Sequence, residues 1–336
     1  MSILITGSAG FIGFHAALKY LKINSKRKII GIDNINNYYD TKLKRKRLKI
    51  LKKYKNFKFY KINLVNYKGL EKIFRNNKIK LVINLAAQAG VRHSIKFPRD
   101  YVNSNLIGFF NIIDLSKKYK IDKFMFASTS SVYGDNNNYP LKEKYSVNHP
   151  IQFYAATKKA NEVIAHSYSS LYDLQCIGLR FFTVYGPWGR PDMVLFKFVK
   201  NILNNKPIEL FNFGNHYRDF TYIDDVVDII FKLSKIKIKK EKQQNFEDSS
   251  NSKSRFKIFN VSSGKKIYLK KFLEIIEKNL DKKAIVKFLP LQRGDVVQTM
   301  SSKKKIKEFI NLKPSISVQT GIKKFIFWFK QYHNLK

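Results

Sequence analysis

Acidic residues are scarce in this chain. The 24 Asp and Glu stand against 65 Lys and Arg, leaving a net charge of +41 over 336 residues. Such an imbalance raises nucleic acid or an anionic membrane surface as a partner. The lysines are, however, spread along the whole chain among Asn and Ile, which reads as compositional bias rather than one basic face, so nucleic acid is not the favoured partner. Cysteine is almost absent. Cys176 alone excludes an intramolecular disulfide, and the six histidines form no Cys/His cluster with zinc-like spacing. No metal is expected, and a reducing compartment is. Cys176 itself reads as a small apolar residue in a strand. Long apolar runs are missing too: none approaches the ~18 residues that a membrane helix needs. The opening Met1-Ser2-Ile3-Leu4-Ile5-Thr6-Gly7 enters a strand and a glycine turn without a basic or apolar leader. A cytoplasmic enzyme is therefore expected.

What is present is rhythm. Residues 3–5, 29–32, 57–62, 81–85, 123–127 and 175–180 are short apolar or β-branched runs suited to strands buried on both faces. Between them lie helix-like stretches at 11–23, 41–53, 67–76, 100–119 and 154–172. This β-α alternation predicts an α/β fold, a Rossmann doubly wound parallel sheet over 1–180. Beyond residue 180 the pattern loosens into Tyr185-Gly186-Pro187-Trp188-Gly189-Arg190-Pro191. Helices near 194–204, 268–279 and 317–331 and a strand near 284–288 then predict a smaller C-terminal α/β lobe over 181–336, with 221–262 returning to the first domain. The Lys-, Gln-, Asn- and Ser-rich stretch 235–255 has no apolar face and reads as an exposed loop or disordered insertion.

Gly7-Ser8-Ala9-Gly10-Phe11-Ile12-Gly13 follows a strand and opens a helix, the context that gives a G-x-x-G-x-x-G pattern weight. Glycines there permit a sharp turn, close approach of backbone N–H groups to a pyrophosphate and tight helix–strand packing. Taken alone, the pattern could also be a structural turn. Asp33 ends the second strand, where a carboxylate accepts from a ribose diol and repels a 2′-phosphate, so NAD is favoured over NADP, although Lys42, Lys44 and Arg45 partly offset that repulsion. Tyr154-Ala155-Ala156-Thr157-Lys158 sets a phenol and an ammonium on one helix face. A free phenol is only about one part in a thousand ionised at pH 7, and a nearby cation favours the phenolate that a general base requires. Ser128-Thr129-Ser130-Ser131 gathers hydroxyls at a strand C-terminus, where open parallel sheets bind ligands; each hydroxyl could equally cap a local turn.

These residues resemble the extended short-chain dehydrogenase/reductase family, within it the NAD-dependent epimerases and dehydratases, and most closely the UDP-glucuronate 4-epimerase group. The likeness rests on Asp33-Asn34 with Asn36 and Tyr38-Tyr39-Asp40, and on Leu85-Ala86-Ala87-Gln88-Ala89-Gly90-Val91-Arg92. It extends to Leu179 through Met193 and to Arg218-Asp219-Phe220-Thr221-Tyr222-Ile223-Asp224-Asp225.

The resemblance implies NAD held by Gly7, Gly10, Phe11, Ile12, Gly13, Asp33, Asn36, Asn63, Leu64, Ala86, Tyr154 and Lys158. Tyr154 would be the base, Lys158 its tuner and ribose contact, and Thr129 the assisting hydroxyl. Ser130, Ser131 and Thr183 would touch the sugar, Arg190 and Arg218 the pyrophosphate, and Asp295, in Arg293-Gly294-Asp295-Val296, the uridine ribose. Arg92 is either a sugar contact or an ion-pair residue. The implied reaction is C4 inversion of a UDP-sugar, UDP-glucuronate to UDP-galacturonate, through a transient 4-keto sugar. A UDP-glucose 4-epimerase and a UDP-xylose synthase are alternatives. A 4,6-dehydratase is disfavoured because serines follow Thr129 where dehydratases carry an acid pair. A polyanion-binding dinucleotide sensor is the non-enzymatic reading. A homodimer through the helices near 100–119 and 154–172 is implied as well. Three positions depart from the group: Asn63 replaces an aspartate, Asn84 a histidine and His93 a tyrosine.

Overall fold

The computed structural model describes residues 2–335 except Asn24, Gln244, Phe246, Arg293 and Pro314. Gln244 and Phe246 of the 235–255 stretch, and Arg293 of the motif around Asp295, thus lie outside the described residues.

Short β-branched and aromatic runs form the strands of the central sheet: β1 (Ser2–Thr6), β2 (Ile29–Asp33), β3 (Phe57–Lys61), β4 (Ile79–Asn84), β5 (Lys123–Thr129) and β6 (Gln175–Phe181). Later segments supply β7 (Thr183–Tyr185), β8 (Ile208–Leu210), β9 (Tyr217–Tyr222), β10 (Phe256–Val261), β11 (Lys266–Tyr268) and β12 (Val286–Phe288). The seven-stranded sheet runs β3-β2-β1-β4-β5-β6-β10, all parallel. Strand order reverses between β1 and β4, and in such sheets the crevice at the strand C-termini there receives the ligand. Smaller sheets, β11-β9-β7 and β12-β8, build the second lobe.

The helices are α1 (Phe11–Ile23), α2 (Thr41–Leu51), α3 (Tyr67–Arg75), α4 (Val91–Lys96), α5 (Pro98–Tyr101), α6 (Gly108–Lys118), α7 (Phe153–Tyr172), α8 (Val194–Leu203), α9 (Ile223–Leu233), α10 (Leu269–Leu280), α11 (Lys304–Phe309) and α12 (Val318–Tyr332). Alternate residues of each strand feed opposite cores. Ile3, Ile5, Ile29 and Met125 pack with Phe14 of α1 and Ile230 of α9. Leu4, Ile30, Phe124 and Phe126 pack with Phe74 of α3 and Ile112 of α6. Cys176, buried in β6, sits in the second cluster.

Two expectations need correction. The helix expected over 100–119 is interrupted by a π-helical turn, Val102–Ile107. Widening the helix there turns Asn105 inward, where its Nδ2 donates to Gln88 O and Thr157 Oγ1 and its Oδ1 accepts from Gln88 N–H. The 235–255 stretch forms no helix among its described residues, but it is not exposed throughout: Ile238, Ser250, Ser252 and Ser254 are buried. Two lysines hold it. Lys305 donates to Ser250 O at 3.1 Å, and Lys257 bridges Glu241 and Asn251. Small polar residues can be buried without an apolar face when each polar group finds a partner.

Candidate active site

One cavity of about 980 Å³ opens over the C-terminal ends of β1, β2, β4 and β5. Its wall includes Gly7, Gly10, Phe11, Ile12, Gly13, Asp33, Asn36, Asn63, Leu64 and Ala86. Gly7 is left-handed at φ +69°, and a Cβ on Gly13 would stand 2.0 Å from Gly7 O, so the turn closes only with glycine at both places. The Asp33 carboxylate is fixed by Ala9 N–H at 3.1 Å and Ile35 N–H at 2.7 Å. Asn84 does not enter the cavity wall. It accepts from Thr6 Oγ1 at 2.6 Å, and Thr6 in turn accepts from Ala86 N–H at 3.0 Å, tying the end of β1 to the end of β4. A bare glycine cradle at a helix N-terminus with a fixed carboxylate at its far edge suits the pyrophosphate and ribose of a dinucleotide.

Thr129, Tyr154 and Lys158 line the same cavity. Thr129 ends β5 and its Oγ1 accepts from Ser131 N–H at 3.2 Å, so the hydroxyl caps the following turn while facing the cavity. Lys158 is buried and donates to Ala127 O at 2.9 Å. Burial pushes its ammonium down to about 7. Burial also raises the Tyr154 phenol above its ordinary value, against the opposing pull of a Thr129 hydrogen bond and the Arg190 charge.

A buried network backs this wall. Arg180 forks onto Glu162 through two 2.9 Å bonds, and Ser128 Oγ donates to the same carboxylate at 2.6 Å. Burial works to raise the Glu162 carboxyl, but Arg180 beside it holds it below the ordinary value.

Ser130, Ser131, Thr183, Arg92, Arg190, Arg218 and Asp295 line the same cavity. Several of these cations are already engaged. Arg92 pairs with Asp295 at 3.1 Å, two residues singled out separately. Arg190 forks onto Asp192, with Nε at 3.0 Å from Oδ1, and Asp192 also accepts from Tyr38 Oη at 3.2 Å. Arg218 donates to the carbonyls of Tyr217 and Val297, each at 3.0 Å. Sequence reasoning assigned no role to Asp192 or Tyr38. Lys44 was weighed only as a charge near Asp33. It is in fact buried beside Asp33's strand, with Nζ on Asn36 O at 2.8 Å.

Fold and site together define a dinucleotide-dependent enzyme of the short-chain dehydrogenase/reductase type. The chain belongs to the NAD dependent epimerase/dehydratase family, whose model matches residues 3–246. It is 46% identical to Protein CapI of Staphylococcus aureus over 339 residues, covering 99% of each chain. It is 40% identical to a UDP-glucuronate 4-epimerase of Thermodesulfobacterium geofontis over 329 residues, covering 98% of this chain and 96% of that one. Among solved structures, a UDP-glucuronic acid 4-epimerase from Bacillus cereus in complex with UDP-glucuronic acid and NAD superposes with a TM-score of 0.88. That match is at 30% identity and covers 99% of this chain and all of the other.

Proposed function

We propose that this protein is an NAD-dependent nucleotide-sugar epimerase that inverts C4 of UDP-glucuronate to give UDP-galacturonate. The carrying observation is that the hydroxyls of Thr129, Ser130, Ser131 and Thr183 share one cavity with Tyr154, Lys158 and the glycine cradle. Bound in that cradle, NAD⁺ supplies the reversible hydride acceptor at C4. Tyr154 takes the O4 proton and later returns it, and Thr129 orders the phenol by hydrogen bonding. Lys158, anchored on Ala127 O, is assigned to the nicotinamide ribose. Oxidation at C4 makes a uronate a β-keto acid prone to losing CO₂, so the four hydroxyls are assigned to restrain the carboxylate. Arg190 and Arg218 are assigned to the pyrophosphate, a task suited to guanidinium forks. Asp295, braced by Arg92, is assigned to the uridine ribose.

Residues 1–180 with the returning strand β10 are proposed as the cofactor domain and most of 181–336 as the sugar-nucleotide lobe. Exposed apolar side chains on neighbouring helices, Phe110 of α6 with Val163 and Leu171 of α7, support a homodimer through these helices. No described helix is long and apolar enough to cross a membrane. The lone buried cysteine suits the reducing cytoplasm that we propose as its setting. Incubation with UDP-glucuronate and, separately, UDP-glucose, with products read by NMR, tests the activity. UDP-galacturonate is expected from the first. A UDP-pentose with released CO₂, or turnover of UDP-glucose alone, overturns the assignment.

A further inference from the structure

Three consecutive carbonyls in the loop between β7 and α8 are each taken up by a side chain of the cofactor-side helices. His15 of α1 donates from Nε2 to Pro187 O at 2.9 Å. Arg47 of α2 donates from Nη2 to Trp188 O and, at 3.3 Å, to Gly189 O. Through Nη1 the same guanidinium reaches Ala9 O in the glycine turn at 2.9 Å and Tyr39 Oη at 2.8 Å.

Arg47 is wholly buried, and it forms no ion pair among the described residues; its Nε has no partner. An arginine taken out of water without a counter-charge carries a large desolvation cost, which here the converging carbonyl dipoles and the Tyr39 hydroxyl offset. The loop it grips is itself strained, since Trp188 sits at φ +61° in the left-handed region that a bulky residue rarely adopts. His15 is packed against Phe11 and Phe14, and burial pushes its imidazole down to about 3, so the ring is neutral and keeps a single N–H for Pro187. Directly after the gripped carbonyls comes Arg190, whose partner Asp192 accepts from Tyr38, neighbour of the Tyr39 that Arg47 holds. The glycine turn, the 34–40 loop and the 187–192 loop therefore meet on one guanidinium.

We infer that His15 and Arg47 are positioning residues that moor the 187–190 loop to the cofactor domain, so that Arg190 is placed at the sugar-nucleotide side by the group that also props the dinucleotide turn. The inference rests on the reading of the cavity as a joint site for NAD and a UDP-sugar. It makes the two ligands mechanically linked: freeing the loop weakens the sugar nucleotide first and reaches Tyr154 only through the charge of Arg190.

The test uses NAD-loaded enzyme carrying His15→Phe, Arg47→Lys or Arg47→Met. Hydrogen exchange across 186–192 is expected to quicken by about tenfold or more, as a local opening would. KM for UDP-glucuronate is expected to rise about tenfold with kcat within about threefold of the parent. Arg47→Lys should not rescue, because an ammonium lacks the fork that spans Ala9 and Trp188. His15→Phe, nearly isosteric, keeps the test alive should the Arg47 variants fail to fold. Unchanged exchange, or quickened exchange with KM unmoved, overturns the inference, as does a loss confined to thermal stability. If the parent enzyme does not turn over UDP-glucuronate, it is the substrate assignment that fails. Calorimetric UDP affinity then replaces KM and still decides the role of the loop.

Discussion

In the proposed mechanism Tyr154 gives up and regains a proton where burial resists its ionisation, and Thr129 and Arg190 lean the other way. Tyr154→Phe is therefore expected to lower kcat by about 10³-fold or more while bound NAD is retained, read by product NMR and by absorbance of the purified protein. Lys158 offers a second check. Its folded value of about 7 lies well below the ~10.4 of an exposed lysine, so the unfolded chain binds the extra proton between those values. Stability of the cofactor-free protein should then rise with pH through that window, and Lys158→Met should remove part of the rise. Denaturation midpoints at pH 7 and pH 9.5 decide it; equal pH responses in parent and variant would count against the burial argument. The Tyr-Lys pair was legible in the sequence because four-residue spacing puts both groups on one helix face. Arg47 was not, since α2 carries basic residues on every side and net composition hides which are inside. The helical face Leu43, Arg47, Leu48 and Leu51, all buried, was the available signal. Asp192 was invisible as a partner because an i, i+2 fork depends on loop geometry that no periodicity encodes.

At the level of elements, β5, β6 and α7 are locked by the Ser128, Glu162 and Arg180 network, which lies immediately behind Thr129. Glu162→Gln leaves the wholly buried guanidinium uncompensated and is expected to cost about 3–5 kcal/mol in urea unfolding. Because the Glu162 carboxyl is held below its ordinary value, its contribution is present above that value and fades as pH falls through the lowered one. Five strands of the central sheet stood out in the sequence as apolar runs because a strand covered on both faces has little polar alternation to obscure it, whereas β3, expected to be buried as well, is an edge strand with Lys58 and Lys61 exposed. The π-helical turn did not, because Val102 to Ile107 carries the same apolar spacing as an ordinary helix and only the inward demand of Asn105 widens it. The packing of 235–255 was hidden for a related reason: serines and lysines look solvated until a partner such as Ser250 for Lys305 is placed beside them.

For the whole molecule, the proposed assembly and the proposed chemistry meet on α7. Phe110→Asp or Val163→Asp is expected to convert the proposed dimer to a monomer, measured by light scattering after gel filtration; a dimer undisturbed by both would place the contact elsewhere. Val163 lies nine residues beyond Tyr154 on this 20-residue helix, a lever arm of ~13 Å at 1.5 Å per residue. A stiff rod pivoting by ~5° at the contact would swing the phenol by about 1 Å, a displacement able to cost ~100-fold in rate. Crowding, dilution or a binder pressed against the outer side of the rod thus has a direct route to the turnover number.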